Sequence, residues 1–143
     1  MARIWIDLEN APHVVLFRPL MDALEENGHQ LTVTLREFGM TRDLMESSSR
    51  PYTLIGGPYG GSLPSKVAGL GVRVGKLFIW ARDKEFDVAA SHGSRSQVIA
   101  ARMLGIPSLS MYDYEHVATG IFDRFSARVL VPAVLDDRDL LSG

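Results

Sequence analysis

The stretch WIDLENAPHVVLFRPLMDAL, residues 5–24, decides the fold. It begins as a continuous apolar run of the kind buried on both faces of a parallel sheet. It breaks at Asn10-Ala11-Pro12-His13 and resumes with Leu16, Phe17, Leu20, Met21 and Leu24 at helical spacing. Asn27-Gly28 supplies a left-handed stop. Proline lacks an N–H and is best tolerated in the first helical turn. Pro19 therefore predicts a helix that starts no earlier than about Val15, with His13 just outside it.

Outward from this unit, short apolar runs alternate with longer helical patterns, as in successive βα units. Six strands are expected: Arg3 to Asp7, Gln30 to Arg36, Tyr52 to Ile55, Phe86 to Ser91, Ser108 to Tyr112 and Arg128 to Val131. The longest connection opens with GGPYGGSLPS (residues 56–65), read as loop, and continues with Val67, Leu70, Val74, Leu77, Phe78 and Ala81 at helical period. Gly69, Gly71 and Gly75 interrupt it, and each glycine costs about 1 kcal/mol in a helix, which points to close packing or a frayed first half. Right-handed crossovers then give an α/β fold, a Rossmann-like, doubly wound parallel sheet of order 3-2-1-4-5-6. Ligands of such sheets bind beyond the carboxyl ends of the strands, at the switch point between strands one and four. The loops meeting there are LENAPH and SHGSRS, so His13 and His92 are expected to be neighbours.

Composition narrows the chemistry. With 143 residues, 46% hydrophobic and 22% charged, one ordinary domain with one core is expected. A net charge of −2 and the absence of long basic runs argue against nucleic acid as a partner. Zero cysteines exclude disulfides, thiolate metal sites and a cysteine nucleophile, and fit a reducing compartment. No apolar run reaches the roughly 18 residues of a membrane span, so a cytoplasmic protein is expected. Neither glycine cluster has the spacing or the place of a dinucleotide fingerprint, and there is no Walker motif.

Candidate site residues fall into two groups. In SHGSRS, a helix N-terminus formed by Gly93, Ser94, Arg95 and Ser96 beside His92 can hold an anion or substrate; a plain serine N-cap explains the same letters. Asn10 joins this group from the first loop. In YDYEH, Asp113, Glu115 and His116 bring three titratable groups to the same sheet edge as His13. No pair has the His-x-x-x-His spacing of a zinc site, so no metal is expected. His29, directly after the helix stop, reads as structural.

IWIDLENAPHVVLFRPLMDALEENGH and DVAASHGSRSQVIAARMLGIPSLSMYDYEHVA together resemble a domain-of-unknown-function family of archaea and bacteria. Its N-terminal half is similar to those of GT-B glycosyltransferases and non-hydrolysing UDP-N-acetylglucosamine 2-epimerases. The specific parts are Pro12-His13, Ser91-His92-Gly93-Ser94 and Glu115-His116. The resemblance implies a nucleotide-sugar enzyme with its active site in a cleft between two Rossmann-like halves, and no separate cofactor. His13 stands where several inverting GT-B enzymes carry the base that deprotonates the acceptor hydroxyl, with Asp113, Glu115 and His116 as further catalytic candidates. Ser94 occupies the place where the epimerases have Asp, which disfavours epimerisation. The glycine-rich loop some of these enzymes have after strand one is missing. Relatives of this type are about twice as long, so residues 1–143 are expected to be an N-terminal half that contributes the acceptor side. The other half would come from a second domain, a partner chain or a further copy of the chain. The competing expectation is a binding or assembly module that keeps the fold without the chemistry.

Overall fold

The computed structural model describes residues 1–112 and 120–131. Among the described residues six parallel strands form one sheet: β1 (Arg3–Leu8), β2 (Gln30–Leu35), β3 (Thr53–Leu54), β4 (Val88–His92), β5 (Ser108–Met111) and β6 (Arg128–Leu130). Their order is β3-β2-β1-β4-β5-β6, as the alternating pattern predicts. The helices are α1 (Ala11–Glu26), α2 (Thr41–Glu46), α3 (Leu63–Ala81), α4 (Arg95–Met103) and α5 (Gly120–Phe125). The two six-residue helices α2 and α5 are absent from the sequence reading, since one or two turns give too little periodicity to detect.

The central strand is buried on both faces, and its residues alternate between two cores. Ile4, Ile6 and Leu8 pack with Val14, Phe17 and Met21 of α1 and with Val33 and Leu35. Trp5 faces the other way, with Leu77 and Ala81 of α3 and Ala100 and Ala101 of α4. The period-2 rule then directs Asp7 to the Trp5 face, beneath α3 and α4. A carboxylate in that position needs partners, and supplying them organises the site.

Two expectations about helices are corrected. First, α1 begins at Ala11, not near Val15, so His13 lies in its first turn and Pro19 lies inside it. Pro12 near the start supplies a favourable first turn. Pro19 removes the hydrogen bond to the Val15 carbonyl, but Val15 and Pro19 are on the exposed face, where water can hydrate that carbonyl. The stripe Val14, Phe17, Met21 spans the interruption and holds the helix to the sheet, whereas Leu16 faces outward. Second, α3 starts at Leu63, inside the stretch read as loop, and runs unbroken past its three glycines. Gly69 is required by packing: a Cβ there would stand 2.5 Å from Cδ1 of Tyr59.

Candidate functional site

At the carboxyl edge of the sheet, a cleft of about 700 Å³ opens between the loops after β1, β2, β3 and β4. Glu9, Asn10 and His13 line one side, and His92, Gly93 and Arg95 another. Arg36 and Tyr59 belong to the lining too, while Leu63, Val67 and Leu70 of α3 form an apolar wall. The first half of α3, where the glycines left close packing or fraying open, therefore overlooks the cleft, and its second half, through Val74, Leu77, Phe78 and Ala81, packs on the core beside Trp5.

His13 and His92 meet across the switch point, with ring centroids 4.6 Å apart and planes inclined at 48°. Each is set by local backbone. The Asn10 carbonyl accepts the His13 N–H at 3.0 Å as the first turn of α1 closes, and Asn10 makes no side-chain capping bond. His92 ends β4, and Gly93 at φ 68° turns the chain sharply into α4.

Ser94 is the N-cap of α4: its Oγ accepts the Gln97 N–H at 3.2 Å and donates to Asp7 Oδ2. Ser96 Oγ donates to Glu9 Oε1 at 3.0 Å and accepts from Arg73. Both hydroxyls are buried and directed into the protein, while the Arg95 side chain lines the cleft, 5.7 Å from the Phe122 ring centroid. Asp113, Glu115 and His116 lie outside the described residues.

Beneath the cleft is a charge cluster that sequence reading does not single out. Arg73, 1% exposed in the middle of α3, grips Asp7 in a bidentate pair at 2.8 Å on both oxygens. It also donates to Glu9 Oε1 at 2.9 Å and to the Ile55 carbonyl at 2.9 Å. Thr34 completes the Asp7 shell, donating to Oδ1 at 2.6 Å while its own oxygen accepts the Trp5 indole N–H at 2.8 Å. Gly56 makes room for the guanidinium: at φ +88° it takes a conformation that disfavours side chains, and a Cβ would lie 3.0 Å from Arg73 Cδ. Burial opposes the charge on Arg73, yet Asp7 and Glu9 hold the guanidinium protonated more firmly than usual. Burial, with the charge of Glu9, pushes the Tyr59 phenol up against the lowering influence of Arg73 and Arg36.

Glu9 is displaced in the direction opposite to most paired carboxylates. Burial raises its pKa above the ordinary 4.5, and the Asp7 charge adds to this, against the lowering influence of Arg73, Ser96 and Arg36. Its protonation therefore favours folding, a contribution fully present below the unfolded value and lost as pH rises through the raised folded one. Glu9→Gln is expected to remove that slope, so that the stability of the variant relative to the parent climbs with pH across this window. Urea unfolding at a series of pH values reads it directly, and parallel profiles would count against the raised value.

Among the described residues no helix is long and apolar enough to cross a membrane. The fold is the Rossmann-like one found in GT-B glycosyltransferases and UDP-N-acetylglucosamine 2-epimerases, matched over part of each. MurG of Acinetobacter baumannii superimposes with a TM-score of 0.77 at 17% identity, over 95% of this chain and 43% of that one. The UDP-GlcNAc 2-epimerase of Methanocaldococcus jannaschii does so with a TM-score of 0.72 at 15% identity, over 97% and 42%. At these identities the likeness is one of fold. In sequence, the uncharacterized protein MJ0665 of Methanocaldococcus jannaschii is 32% identical over 116 residues, which are 79% of this chain and 33% of that protein. The chain thus spans less than half the length of each. A family model described as "Protein of unknown function (DUF354)" matches residues 2–142, and the chain belongs to that family.

Proposed function

We propose that this chain is the acceptor-side half of a nucleotide-sugar glycosyltransferase, with His13 as general base. The observation that carries the reading is the pairing of His13 with His92, 4.6 Å apart at the switch point and lining the cleft. Imidazole is the side chain whose ordinary pKa suits proton abstraction near neutrality. In this reading an acceptor hydroxyl lies against His13, loses its proton as its oxygen attacks the anomeric carbon, and the nucleoside diphosphate leaves with the bonding pair. Asn10, Gly93 and Arg95 are assigned to substrate contact and His92 to orientation of the His13 ring, while Asp113, Glu115 and His116 stay as further catalytic candidates. A cytoplasmic location accompanies the proposal, since a chain without cysteine needs no oxidising compartment.

The donor would be held chiefly by a second Rossmann-like half. Holding both substrates in line contributes roughly 7–11 kcal/mol to such a reaction, and one half cannot supply it. The 143-residue chain is therefore expected to release no nucleoside diphosphate from UDP, GDP or dTDP sugars, and to do so once completed by a second half. Robust turnover by the isolated chain would overturn the half-enzyme reading. A completed protein that binds sugars and turns none over would be the binding module instead.

A further inference from the structure

We propose that Glu9 and Arg36, with the Phe38 ring at the rim, form a carbohydrate subsite, so that the acceptor is itself a neutral sugar held by its ring hydroxyls. The inference rests on the cleft being the acceptor side, and it assigns the acceptor's chemical class.

The two oxygens of Glu9 are unequal. Oε1 takes hydrogen bonds from Arg73 at 2.9 Å and Ser96 at 3.0 Å, and the Ser94 oxygen, whose proton goes to Asp7, lies 3.3 Å from it. Oε2 accepts none from the described residues; Arg36 Nη1 is 3.9 Å away. That gap is too long for a hydrogen bond. Both side chains line the cleft and keep a small exposed surface, 14% for Glu9 and 11% for Arg36.

Both groups are held in place by their other contacts. Glu9 is clamped from below by the buried Arg73. The Arg36 Nε donates to the Gly57 carbonyl at 3.2 Å, and its guanidinium lies 3.8 Å from the Tyr59 ring centroid and 5.0 Å from that of Phe38. A rigid acceptor and a rigid donor thus stand side by side, too far apart to satisfy each other.

The ligand class follows from what fits between them. An anion drawn to Arg36 meets Glu9, and a cation drawn to Glu9 meets Arg36. A neutral hydroxyl meets neither penalty: its proton goes to Oε2 while its lone pair accepts from Nη1. Phe38, 47% exposed, lines the same cleft with the apolar wall of Leu63 and Val67. A pyranose ring presents this combination, with hydroxyls around its edge and apolar C–H faces.

Amide chemical shifts of the 143-residue chain, titrated with the methyl glycosides of glucose, galactose and N-acetylglucosamine and in parallel with inorganic phosphate, test this. At least one glycoside should move the amides of Glu9, Asn10, Arg36 and Phe38 together. Glu9→Ala should weaken it roughly tenfold or more, the size expected for a hydrogen bond to a charged group. Phe38→Ala, a surface change that cannot unfold the core, should weaken it as well and decides the matter if Glu9→Ala does not fold. Glycosides that move none of these amides up to their solubility limit, or that move them equally in both variants, overturn the subsite. Phosphate moving them where glycosides do not makes it an anion site, which also overturns it. Because the titration needs no donor, a null result beside turnover by the completed protein removes the subsite alone. Glycoside binding beside no turnover removes the half-enzyme reading alone.

Discussion

Arg73→Leu is expected to destabilise the domain by about 3–5 kcal/mol, the cost of removing one member of a buried ion pair. Domains of this size are stable by only about 5–15 kcal/mol, so the variant should be largely unfolded in modest urea. The physical ground is the charge left behind. Asp7 is fully buried on the central strand, and with Arg73 gone it retains the Thr34 and Ser94 hydroxyls but no cation at bonding distance. Glu9 loses its shortest hydrogen bond in the same step. The control is the double variant Asp7→Asn/Arg73→Met, which removes both charges and keeps an amide for Thr34. If the uncompensated carboxylate is the cause, the double variant recovers at least half of the loss. A double variant as unstable as the sum of its singles would locate the cost in packing of the α3 helix against β1 instead.

The other large effect is on catalysis. In a completed two-half protein, His13→Ala is expected to lower kcat by about 10²- to 10⁴-fold, the range for a lost general base. Its folding stability should change by no more than about 1 kcal/mol, since His13 is half-buried at a helix start and outside both cores. Steady-state kinetics and urea unfolding on the same preparation separate these quantities. Full activity in His13→Ala would take the residue out of the role of base. A collapse in stability would make any kinetic loss uninterpretable as chemistry and assign His13 to the architecture.

The legibility of the fold and of the site differ for a definite reason. Strand order could be read because continuous apolar runs, helical spacing and one-handed crossovers are local or combinatorial properties. The same logic placed His13 and His92 on neighbouring loops, and their rings do meet. Pro19 misled because a proline rule judges a helix by its own hydrogen bonds. Here the affected carbonyl is on the solvent face, and tertiary burial of Val14, Phe17 and Met21 carries the helix through.

Arg73 left a trace that periodicity alone discards. Leu70, Arg73 and Leu77 are spaced as one helical stripe, and an arginine in such a stripe is a cation facing inward. Asp7 inside the run IWIDL is the matching anion, and the two together predict a buried pair. What neither shows is the distance: 66 residues separate them along the chain.

By itself, then, the amino-acid sequence determined the number and direction of the strands, the edge at which the loops converge and the face of β1 on which Asp7 falls. Each of these follows from short-range patterns and the handedness of the polypeptide. Only the tertiary structure decided that Arg73 answers Asp7, that Ser94 and Ser96 direct their hydroxyls inward, and that Glu9 lines the cleft with only Oε1 hydrogen-bonded by the described residues. Those outcomes depend on which helix faces a given strand position at bonding distance, and a buried charge selects its partner by proximity in space, which spacing along the chain does not encode.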